Sequence, residues 1–343
     1  MSYDVDLIVI GGGPAGSAAA IWARLAGLRV QLFERTSFPR HRPGETLHPG
    51  AGSIFRQLGI EAEVNKASAL RHSGHTVIWG GNVHTVDFGR DRNGAWLGYQ
   101  VLRNTLDGIL LERASNLGVE VFQPRKVERI MIADTRVIGV QTDQPITARF
   151  VIDASGGRSW LSRQIDSPME TVSPPLRAYY GYCEGEPYPS MQLPCLTSDD
   201  EGWTWISKIA PRTFNWTRMT FSLGSAAPRP PEQLATLIPI DRIRGSDVTW
   251  RRAKPAAAPG YFAVGDAAAV LDPASSHGVL RAMMSGMMAA HTAARVVTGN
   301  ISEDTATRAY SEWIETWFQY DLKQLTAFYS ELHKPPEWLK SIT

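Results

Sequence analysis

A strand, a glycine-rich turn, a helix and a second strand follow one another at the start of the chain, in the segment DLIVIGGGPAGSAAAIWARLAGLRVQLFER. Apolar runs and helical periodicity predict these elements at residues 7–10, 17–25 and 29–33, with the turn between the first two. Such an order joins two parallel strands through a helix that covers the sheet. The chain is therefore predicted to adopt an α/β fold that begins with a βαβ unit.

The turn carries the pattern G-x-G-x-x-G, in which each glycine has a separate role. Gly11 permits the tight turn, Gly13 lets the backbone approach a pyrophosphate, and Gly16 lets the helix pack closely against the strand. The pyrophosphate then lies at the N-terminus of the helix. Glu34 ends the second strand about 20 residues after the turn, where a carboxylate accepts the ribose hydroxyls. The segment predicts an adenine dinucleotide site; the alternative is a glycine turn with a purely structural role.

Length and composition exclude several classes of protein. The 343 residues, 43% of them hydrophobic, can bury a full core and predict about two closely joined domains. A net charge of +1 argues against a nucleic-acid surface. The first apolar run is too short to span a bilayer and no signal peptide is visible, so we expect a cytoplasmic protein without a membrane partner. Cys183 and Cys195 form no C-x-x-C pair, which argues against a dithiol relay.

A second strand, turn and long helix are predicted in YFAVGDAAAVLDPASSHGVLRAMMSGMMAAHTAA, residues 261–294. Asp266, beside Gly265 at the end of the strand, can accept a hydrogen bond from a ribitol or ribose hydroxyl. Gly278 at the helix N-terminus lets backbone amides face an isoalloxazine carbonyl, although an ordinary helix start is the alternative. Arg103 begins a further amphipathic helix. It is predicted to contact a flavin; a solvated surface arginine is the alternative.

The chain resembles, over nearly its whole length, the FAD-dependent monooxygenases, a superfamily that includes aromatic hydroxylases, flavin-dependent halogenases and geranylgeranyl-reductase-like proteins. The motifs that carry the resemblance are GGGPAG with Glu34, PRHRPGETLHPG, Arg103, DASGGRS, GWTWI and GDAAAVLDPASSHG. The resemblance implies bound FAD. Because no second G-x-G-x-x-G is present, electrons would come from NAD(P)H or from a partner flavin reductase. The residues that border the cofactor would be Gly11, Gly13, Pro14, Ala15, Gly16, Glu34, Arg35, Arg42, Gly44, Glu45, Arg103, Gly265, Asp266, Pro273, Ser276, Gly278 and Val279.

The GWTWI segment and the DP-x-SS-x-G turn resemble the halogenase branch more than the phenol hydroxylases. In halogenases a lysine ammonium beside the substrate captures or directs hypohalous acid. An ungapped reading places His75 at the position of that lysine, with Arg71 and His72 close by, and the only lysine nearby is Lys66. Lys208 follows the tryptophan motif, where halogenases commonly have proline. The missing lysine argues against halogenation.

The remaining residues suit oxygen transfer. In this family reduced flavin and O₂ give a C4a-hydroperoxide, which a tight apolar pocket must shield from water. The aromatic residues predicted to line that pocket, with core packing as the alternative, are Trp203, Trp205, Phe214 and Trp216. Histidine suits removal of a phenol or indole proton near neutral pH. The candidates for this base, with a packing role as the alternative for each, are His277 first, then His75 and His72. No metal site is predicted, because HSGH lacks nearby carboxylate or cysteine ligands.

The order of the motifs predicts a Rossmann-type FAD-binding domain with an inserted α+β substrate domain that contains an antiparallel sheet. The predicted FAD-binding domain comprises residues 1–75, 95–165 and 250–300, and the substrate domain comprises residues 76–94 and 166–249. Alternating runs such as TWISKI support the antiparallel sheet. Residues 301–343 are predicted to form C-terminal helices, with aromatic residues at helical spacing over 303–333 that favour a helix pair on the substrate domain. An exposed partner surface is the alternative.

A closer resemblance is carried by DPASSHGVLRAMMSG and by the terminal WFQYDLKQLTAFYSELHKPPEW, which look like halogenase-like flavoproteins that act as maturases of tryptophylquinone cofactors. It implies a monooxygenase that hydroxylates an electron-rich aromatic ring, either in a small molecule or in a tryptophan side chain of a partner protein. The alternatives are a flavin-dependent halogenase, a geranylgeranyl-reductase-like flavin reductase and a non-enzymatic FAD-binding scaffold. A halogenase needs chloride or bromide, the reductase needs no O₂, and the scaffold shows no turnover.

Overall fold

The structure is a computed structural model that describes residues 3–165, 167, 169–186, 194–222 and 229–342. Its α-helices in these ranges are α1 (Pro14–Leu25), α2 (Ala51–Leu58), α3 (Glu61–Ala67), α4 (Arg103–Asn116), α5 (Gly278–Val297) and α6 (Glu303–Ser330). Local sequence sets several helix ends. Pro14 opens α1, and Gly59 closes α2 in the left-handed conformation, with φ of 69°. The Ser302 side chain caps α6 by accepting the Thr305 N–H.

The main sheet has eight strands. Its parallel strands are, in spatial order, Glu120–Phe122, Val30–Phe33, Val5–Ile10, Pro145–Asp153 and Tyr261–Ala263. Its antiparallel additions are Arg136–Gln141, Arg129–Ala133 and Ala257–Ala258. Leu7 and Val9 pack with α1, α4 and α5, whereas Ile8 and Ile10 pack with the antiparallel additions. The main sheet is therefore buried on both faces, as is usual for parallel strands.

A second sheet, here called the roof sheet, has seven strands. Their order is Ile238–Asp247, Arg177–Glu184, Thr213–Thr220, Gly202–Ala210, Cys195–Asp199, Gly74–Trp79 and Asn82–Asp87. Neighbours are antiparallel except for Cys195–Asp199 and Gly74–Trp79, which run parallel. One face contributes Trp79, Trp203 and Met219 to an aromatic core. Because side chains alternate along a strand, Phe214 and Trp216 join a separate cluster.

Short elements complete the described chain. The remaining strands are Met169–Thr171, Arg251–Ala253, Ala269–Val270, Thr46–Leu47, Gly98–Gln100, Leu70–His72, Arg90–Asp91 and Gly94–Ala95. The 3₁₀ helices are Glu232–Leu234, Gly265–Ala267, Pro273–Ser275 and Glu337–Ser341. Cys183 and Cys195 are buried and free. In the described ranges no helix has the length and apolar character to cross a membrane.

The C-terminal region differs from the predicted helix pair. Residues Glu303–Ser330 form one continuous helix of 28 residues, α6, followed by a short 3₁₀ helix. The prediction was wrong because this stretch contains neither glycine nor proline, and the first breakers are Pro335 and Pro336. The helix also packs more widely than predicted. Ile314 joins the core of the main sheet and Phe318, one turn later, joins the aromatic core.

The predicted fold class is confirmed. A parallel sheet with a βαβ start, a largely antiparallel second sheet and a C-terminal helix form one α/β structure. Tight packing of α1 on α5 holds the glycine turn against the strand, turn and helix of residues 261–294. A Cβ at Gly286 of α5 would lie 2.1 Å from the Ala15 carbonyl oxygen. The exact domain boundaries stay a prediction.

Candidate active site

A cavity of about 1320 Å³ lies where the carboxyl ends of the parallel strands meet the roof sheet. Ile10 and Phe33 reach it from the main sheet, and Trp205 and Thr217 reach it from the roof sheet. Ligands of doubly wound folds bind at this end of the strands. Pockets for drug-sized ligands usually measure about 300–1,000 Å³. The cavity is therefore large enough for a dinucleotide and part of a second molecule.

The glycine turn forms the first wall of the cavity. Gly11 has φ of 111°, and a Cβ there would lie 2.3 Å from the Ala154 carbonyl oxygen. Gly13 is the N-cap of α1 and offers no side-chain hydrogen bond to the first turn. Gly13, Pro14 and Ala15 all border the cavity. The first-turn N–H groups of α1 are therefore available to a phosphate.

Glu34 lies buried at the end of the second strand. Its Oε2 accepts the Gly12 N–H at 2.9 Å, and its Oε1 accepts the Thr36 N–H and hydroxyl at 2.9 and 2.6 Å. Burial acts to raise the pKa of this carboxyl, but the Arg40 guanidinium and these hydrogen bonds hold it below its ordinary value. A charged acceptor at this position can bind ribose hydroxyls, as predicted from the spacing.

Arg103 connects the middle of the cavity to α4. Its Nε donates to Asp107 Oδ1 at 2.9 Å and its Nη1 to the Pro43 carbonyl at 2.7 Å. These bonds hold the guanidinium against Gly44, where a Cβ would lie 3.3 Å from Arg103 Nη1. Burial acts to lower the pKa of Arg103, but the carboxylate of Asp107 more than offsets it. Arg103 therefore remains a fixed positive charge on the cavity wall.

Glu45 follows Gly44 and is buried. Tyr182 of the roof sheet donates its hydroxyl to Glu45 Oε1 at 2.7 Å, and the Gly44 N–H donates to Oε2 at 2.9 Å. Burial raises the pKa of Glu45 despite these bonds and the nearby Arg103. This carboxyl links the roof sheet to the loop that precedes the strand Thr46–Leu47.

The turn and the helix start within residues 261–294 form the opposite wall of the cavity. Gly265 has φ of 57° and donates its N–H to the Ser285 hydroxyl at 2.9 Å. Asp266 is exposed to the cavity, and its pKa is raised because the surrounding protein desolvates the carboxylate, although Arg103 opposes the shift. His277 is the N-cap of α5 and makes no capping bond, and a Cβ at Gly278 would meet no atom within 4 Å. A second helix N-terminus thus faces the cavity.

Four histidines border the remaining part of the cavity; we call His48, His72, His75 and His277 the histidine quartet. Three of their rings surround Phe88, with centroid distances of 5.0 Å for His48, 5.4 Å for His72 and 6.0 Å for His75. The rings of His48 and His277 are 5.7 Å apart, as are those of His75 and Trp205. The quartet and the two aromatic rings form one ring-lined pocket.

Burial favours the neutral form of each histidine of the quartet. It lowers the pKa of His72 to about 4, with help from the charges of His75 and Arg71. Burial also lowers the pKa values of His48, His75 and His277, although the carboxylate of Asp321 partly offsets the shift at His277. The Gly50 N–H donates to His48 Nδ1 at 3.0 Å, so the proton of neutral His48 is on Nε2.

Most of the predicted site residues line this one cavity. They are Gly11, Gly13, Pro14, Ala15, Glu34, Arg35, Arg42, Gly44, Glu45, Arg103, Gly265, Asp266, Pro273, Ser276, Gly278, Val279, His72, His75, His277, Trp203 and Trp205. Gly16 lies behind the turn, where a Cβ would fall 1.9 Å from the Gly11 carbonyl oxygen. Gly16 therefore allows α1 to pack closely against the turn and is not among the residues that line the cavity.

Phe214 and Trp216 do not reach the cavity. Trp205 is paired with Thr217 across the roof sheet, and Trp216 is paired with Ile206. Paired residues share a face of a sheet, so the cavity side of the strand Thr213–Thr220 carries Asn215 and Thr217. Phe214 and Trp216 pack instead with Cys183 and Leu237 on the other side.

Several wall residues were not predicted. His48 and Arg40 lie within the segment PRHRPGETLHPG, and their place in that motif is the signal that was missed. Arg281 and Asp321 form a two-pronged ion pair between α5 and α6, with distances of 3.1 and 2.8 Å. Only tertiary structure brings Asp321 to this wall. Within the described ranges, no group of three or more His, Cys, Asp or Glu side chains is arranged so that it could hold a metal ion.

The family follows from comparison with known proteins. Residues 4–312 match the FAD binding domain family, and the chain belongs to it. The 1H-pyrrole-2-carbonyl-[peptidyl-carrier protein] brominase of Pseudoalteromonas luteoviolacea is 30% identical, over 91% of this chain and 82% of that protein. The tryptophan 2-halogenase of Chondromyces crocatus is 28% identical over 91% of this chain, which spans 65% of that longer relative. The predicted membership of the halogenase and monooxygenase superfamily is thus confirmed.

Solved structures share the fold. The myxobacterial chondrochloren halogenase CndH superposes with a TM-score of 0.85 and 26% identity, over 99% of this chain and 86% of that one. The peptidyl tryptophan dihydroxylase QhpG, essential for tryptophylquinone cofactor biogenesis, superposes with a TM-score of 0.76 and 18% identity, over 98% and 78% of the two chains. At 18% identity the second likeness concerns the fold alone.

The residues present fit FAD. The glycine turn and the free N-terminus of α1 suit the pyrophosphate, and Glu34 suits the adenosine ribose. Arg40 Nε is buried beside them without a hydrogen-bond partner among the described residues, so a donor is left over for a ligand. Gly265, Asp266 and the N-terminus of α5 suit the polar edge of an isoalloxazine.

Proposed function

We propose that the chain is an FAD-dependent monooxygenase that hydroxylates an electron-rich aromatic ring. The observation that carries the proposal is the histidine quartet, which includes His75 at the position expected for the halogenase lysine. Among the described residues of the cavity wall the only lysine is Lys126. Lys126 lies at the end of the cavity that contains Glu34, the predicted ribose acceptor, because the neighbouring Arg125 donates its backbone N–H to the Glu34 carbonyl at 2.7 Å. The quartet therefore has no ammonium group to direct hypohalous acid.

Neutral imidazoles supply the proton chemistry of hydroxylation. At pH 7 a histidine whose pKa is lowered by burial has a free nitrogen that can accept a proton from a phenol or indole ring. We favour His277 as this base because it adjoins Gly278 and because the Asp321 carboxylate stabilises its protonated form. Bound FAD would supply the activated oxygen. The protein holds the ring, limits water and takes the proton.

The pocket suits a flat aromatic substrate. Trp203, Trp205, Phe88 and Leu196 provide apolar contacts, and the imidazoles provide hydrogen bonds. Within this proposal the ring belongs either to a small molecule or to a tryptophan side chain of a partner protein during quinone-cofactor maturation. The second substrate rests on the resemblance of DPASSHGVLRAMMSG and the C-terminal segment to the tryptophylquinone maturases, and the brominase relative is named for a ring that is held on a carrier protein.

Halogenation is the second candidate, since the two curated relatives described above are halogenases. One experiment separates the candidates. The purified holoprotein is reduced without oxygen and mixed with isotopically labelled O₂ and indole, or a tryptophan-containing peptide, with and without bromide. Hydroxylation predicts a product that carries the label in either buffer. A product that requires bromide and contains it would replace hydroxylation by halogenation, and reoxidation without a product from either substrate would contradict both.

The electron donor is tested on the same holoprotein. Direct use of NAD(P)H predicts bleaching of the flavin absorbance when NADH or NADPH alone is added without oxygen. A partner flavin reductase predicts bleaching only when a reductase and free flavin are present as well. Dithionite reduction gives the reference spectrum for full bleaching.

A further inference from the structure

We propose that Trp203, Tyr329 and Asp272 form a redox-active chain that removes an oxidising equivalent from the cavity, with Asp272 receiving the phenolic proton of Tyr329. The chain would act when a one-electron oxidant, either a photoexcited flavin or an oxygen radical, forms in the cavity without substrate. This role concerns protection of the protein. It does not depend on whether the substrate is hydroxylated or halogenated.

The three side chains are joined by short hydrogen bonds. Trp203 borders the cavity and donates Nε1–H to the Tyr329 hydroxyl oxygen at 2.9 Å. Tyr329 donates its hydroxyl to Asp272 Oδ2 at 2.6 Å. Asp272 Oδ1 accepts the Ala274 N–H at 2.8 Å and is thereby fixed in place. All three side chains are at most 1% exposed, so water does not compete for these bonds.

A buried tyrosine loses an electron readily only when its proton can leave with it. In the step that we propose, one electron passes from Tyr329 to the oxidised indole of Trp203, which is restored to its neutral form. The phenolic proton moves to Asp272 Oδ2. The products are a neutral tyrosyl radical and a neutral carboxylic acid, so no net charge is created in the core. Burial raises the pKa of Asp272 to about 6, which favours its acceptance of that proton.

Further aromatic rings lead away from the cavity. The Tyr329 ring lies 5.7 Å from Trp250 and 6.2 Å from Trp338, and the two indoles are 5.3 Å apart. Trp338 is only half-buried. A reductant in solution can therefore return the missing electron through Trp338, at a distance from the substrate pocket.

A second buried tyrosine on the same helix offers a matched control. Tyr310 is 1% exposed, and it donates its hydroxyl to the Ala263 carbonyl at 2.7 Å. A backbone carbonyl cannot take up the proton as a carboxylate can. Tyr310 also lies outside the cavity wall and outside the aromatic core that contains Tyr329. Replacement of Tyr310 tests the loss of a buried hydroxyl without loss of the proposed chain.

The test is transient absorption of the holoprotein after a blue-light pulse, which makes the bound flavin a one-electron oxidant. The wild type and Tyr310→Phe should show a tryptophan radical that decays into a neutral tyrosyl radical. Tyr329→Phe should lose at least nine-tenths of the tyrosyl signal and prolong the tryptophan radical. Asp272→Asn, which keeps the shape of the side chain but removes the proton acceptor, should slow tyrosyl formation severalfold.

A merely structural role for the network would change stability and leave the radical yields alone. An undiminished tyrosyl signal in Tyr329→Phe, or its absence from the wild type, would overturn the proposal. If Tyr329→Phe fails to retain FAD, Trp203→Phe supplies the second test, because it should abolish the tyrosyl radical, and an undiminished tyrosyl signal there would overturn the proposal. Mass spectrometry after prolonged illumination gives an independent readout: oxidation at residue 203 should be greater in Tyr329→Phe than in Tyr310→Phe, and equal oxidation would contradict the chain.

Discussion

At the scale of single residues, the candidate base can be separated from its neighbours. Replacement of His277 by Gln keeps a polar side chain at the start of α5 but removes the group that accepts the ring proton. We expect the single-turnover rate of hydroxylation to fall by about 10²- to 10⁴-fold, the usual contribution of a general base. Retention of FAD should be unchanged. His291→Gln, an exposed position on the same helix, is the control and should keep the wild-type rate.

The pH dependence of the single-turnover hydroxylation rate also tests whether His277 is the base. Burial lowers the pKa of His277 below its ordinary value of 6.5, so the neutral base is present at and above pH 7. The wild-type rate should therefore be flat there and fall only at a pH below 6.5, where His277 takes up a proton. A His277→Gln variant that keeps this acidic limb would show that another group is the base.

His72 couples the pocket to the stability of the fold. Its pKa is about 4 in the folded protein against 6.5 as the ordinary value, so the unfolded chain binds more protons between these two pH values. Stability should thus rise with pH across this window and be lost as the pH falls through it, by up to about 3 kcal/mol. Urea unfolding of the wild type and His72→Asn at pH 4 to 7 measures how much of the pH dependence of the unfolding free energy comes from His72. An equal loss of stability at low pH in His72→Asn would show that His72 is not the cause of the pH dependence.

At the scale of elements, the contact between α1 and α5 positions both halves of the cavity. A methyl group at Gly286 would collide with the Ala15 carbonyl oxygen, a backbone atom beside the glycine turn. Gly286→Ala should therefore cost about 1–3 kcal/mol of stability and weaken retention of FAD. Urea unfolding and the flavin content after gel filtration measure the two effects.

Gly108 provides the control for that substitution. It also lies within a helix, α4, but a Cβ there would meet no atom within 4 Å. Gly108→Ala should stabilise the protein by roughly 0.5–1 kcal/mol, because alanine loses less backbone freedom on folding, and should leave FAD retention unchanged. Equal behaviour of the two variants would show that the contact between α1 and α5 does not position the turn.

Elements with strong local signals were predictable, and features set by tertiary register were not. The glycine turn, Glu34 and the start of α5 follow from residues close together in sequence, and the structure brings them to one cavity. The placement of Phe214 and Trp216 depends on which residues face each other across the roof sheet. That register pairs Thr217 with Trp205, and a shift of one residue would reverse every side chain. Sequence periodicity alone does not fix it.

At the scale of the whole molecule, α6 joins two cores that belong to different sheets. Ile314 is 1% exposed in the core of the main sheet, and Phe318 is fully buried in the aromatic core beneath the roof sheet. Residues four apart lie on the same side of a helix. One turn of α6 therefore contributes to both cores. Proteins of this size often unfold through intermediates. A helix that is shared by two cores acts against this, because neither core can lose the helix without loss of contacts in the other.

We expect the holoprotein to unfold in one transition because of this sharing. Flavin release reports on the main sheet, and the assigned ¹⁹F NMR signals of fluorotryptophan at Trp79, Trp203 and Trp250 report on the aromatic core. Ile314→Ala should cost about 2–5 kcal/mol and Phe318→Ala about 3–5 kcal/mol, and each should lower the urea midpoint of both probes together. Tyr320→Ala, at a position 62% exposed on the same helix, should change stability by less than about 0.5 kcal/mol. A variant that moves one probe and leaves the other in place would show that the two cores unfold independently and that α6 does not couple them.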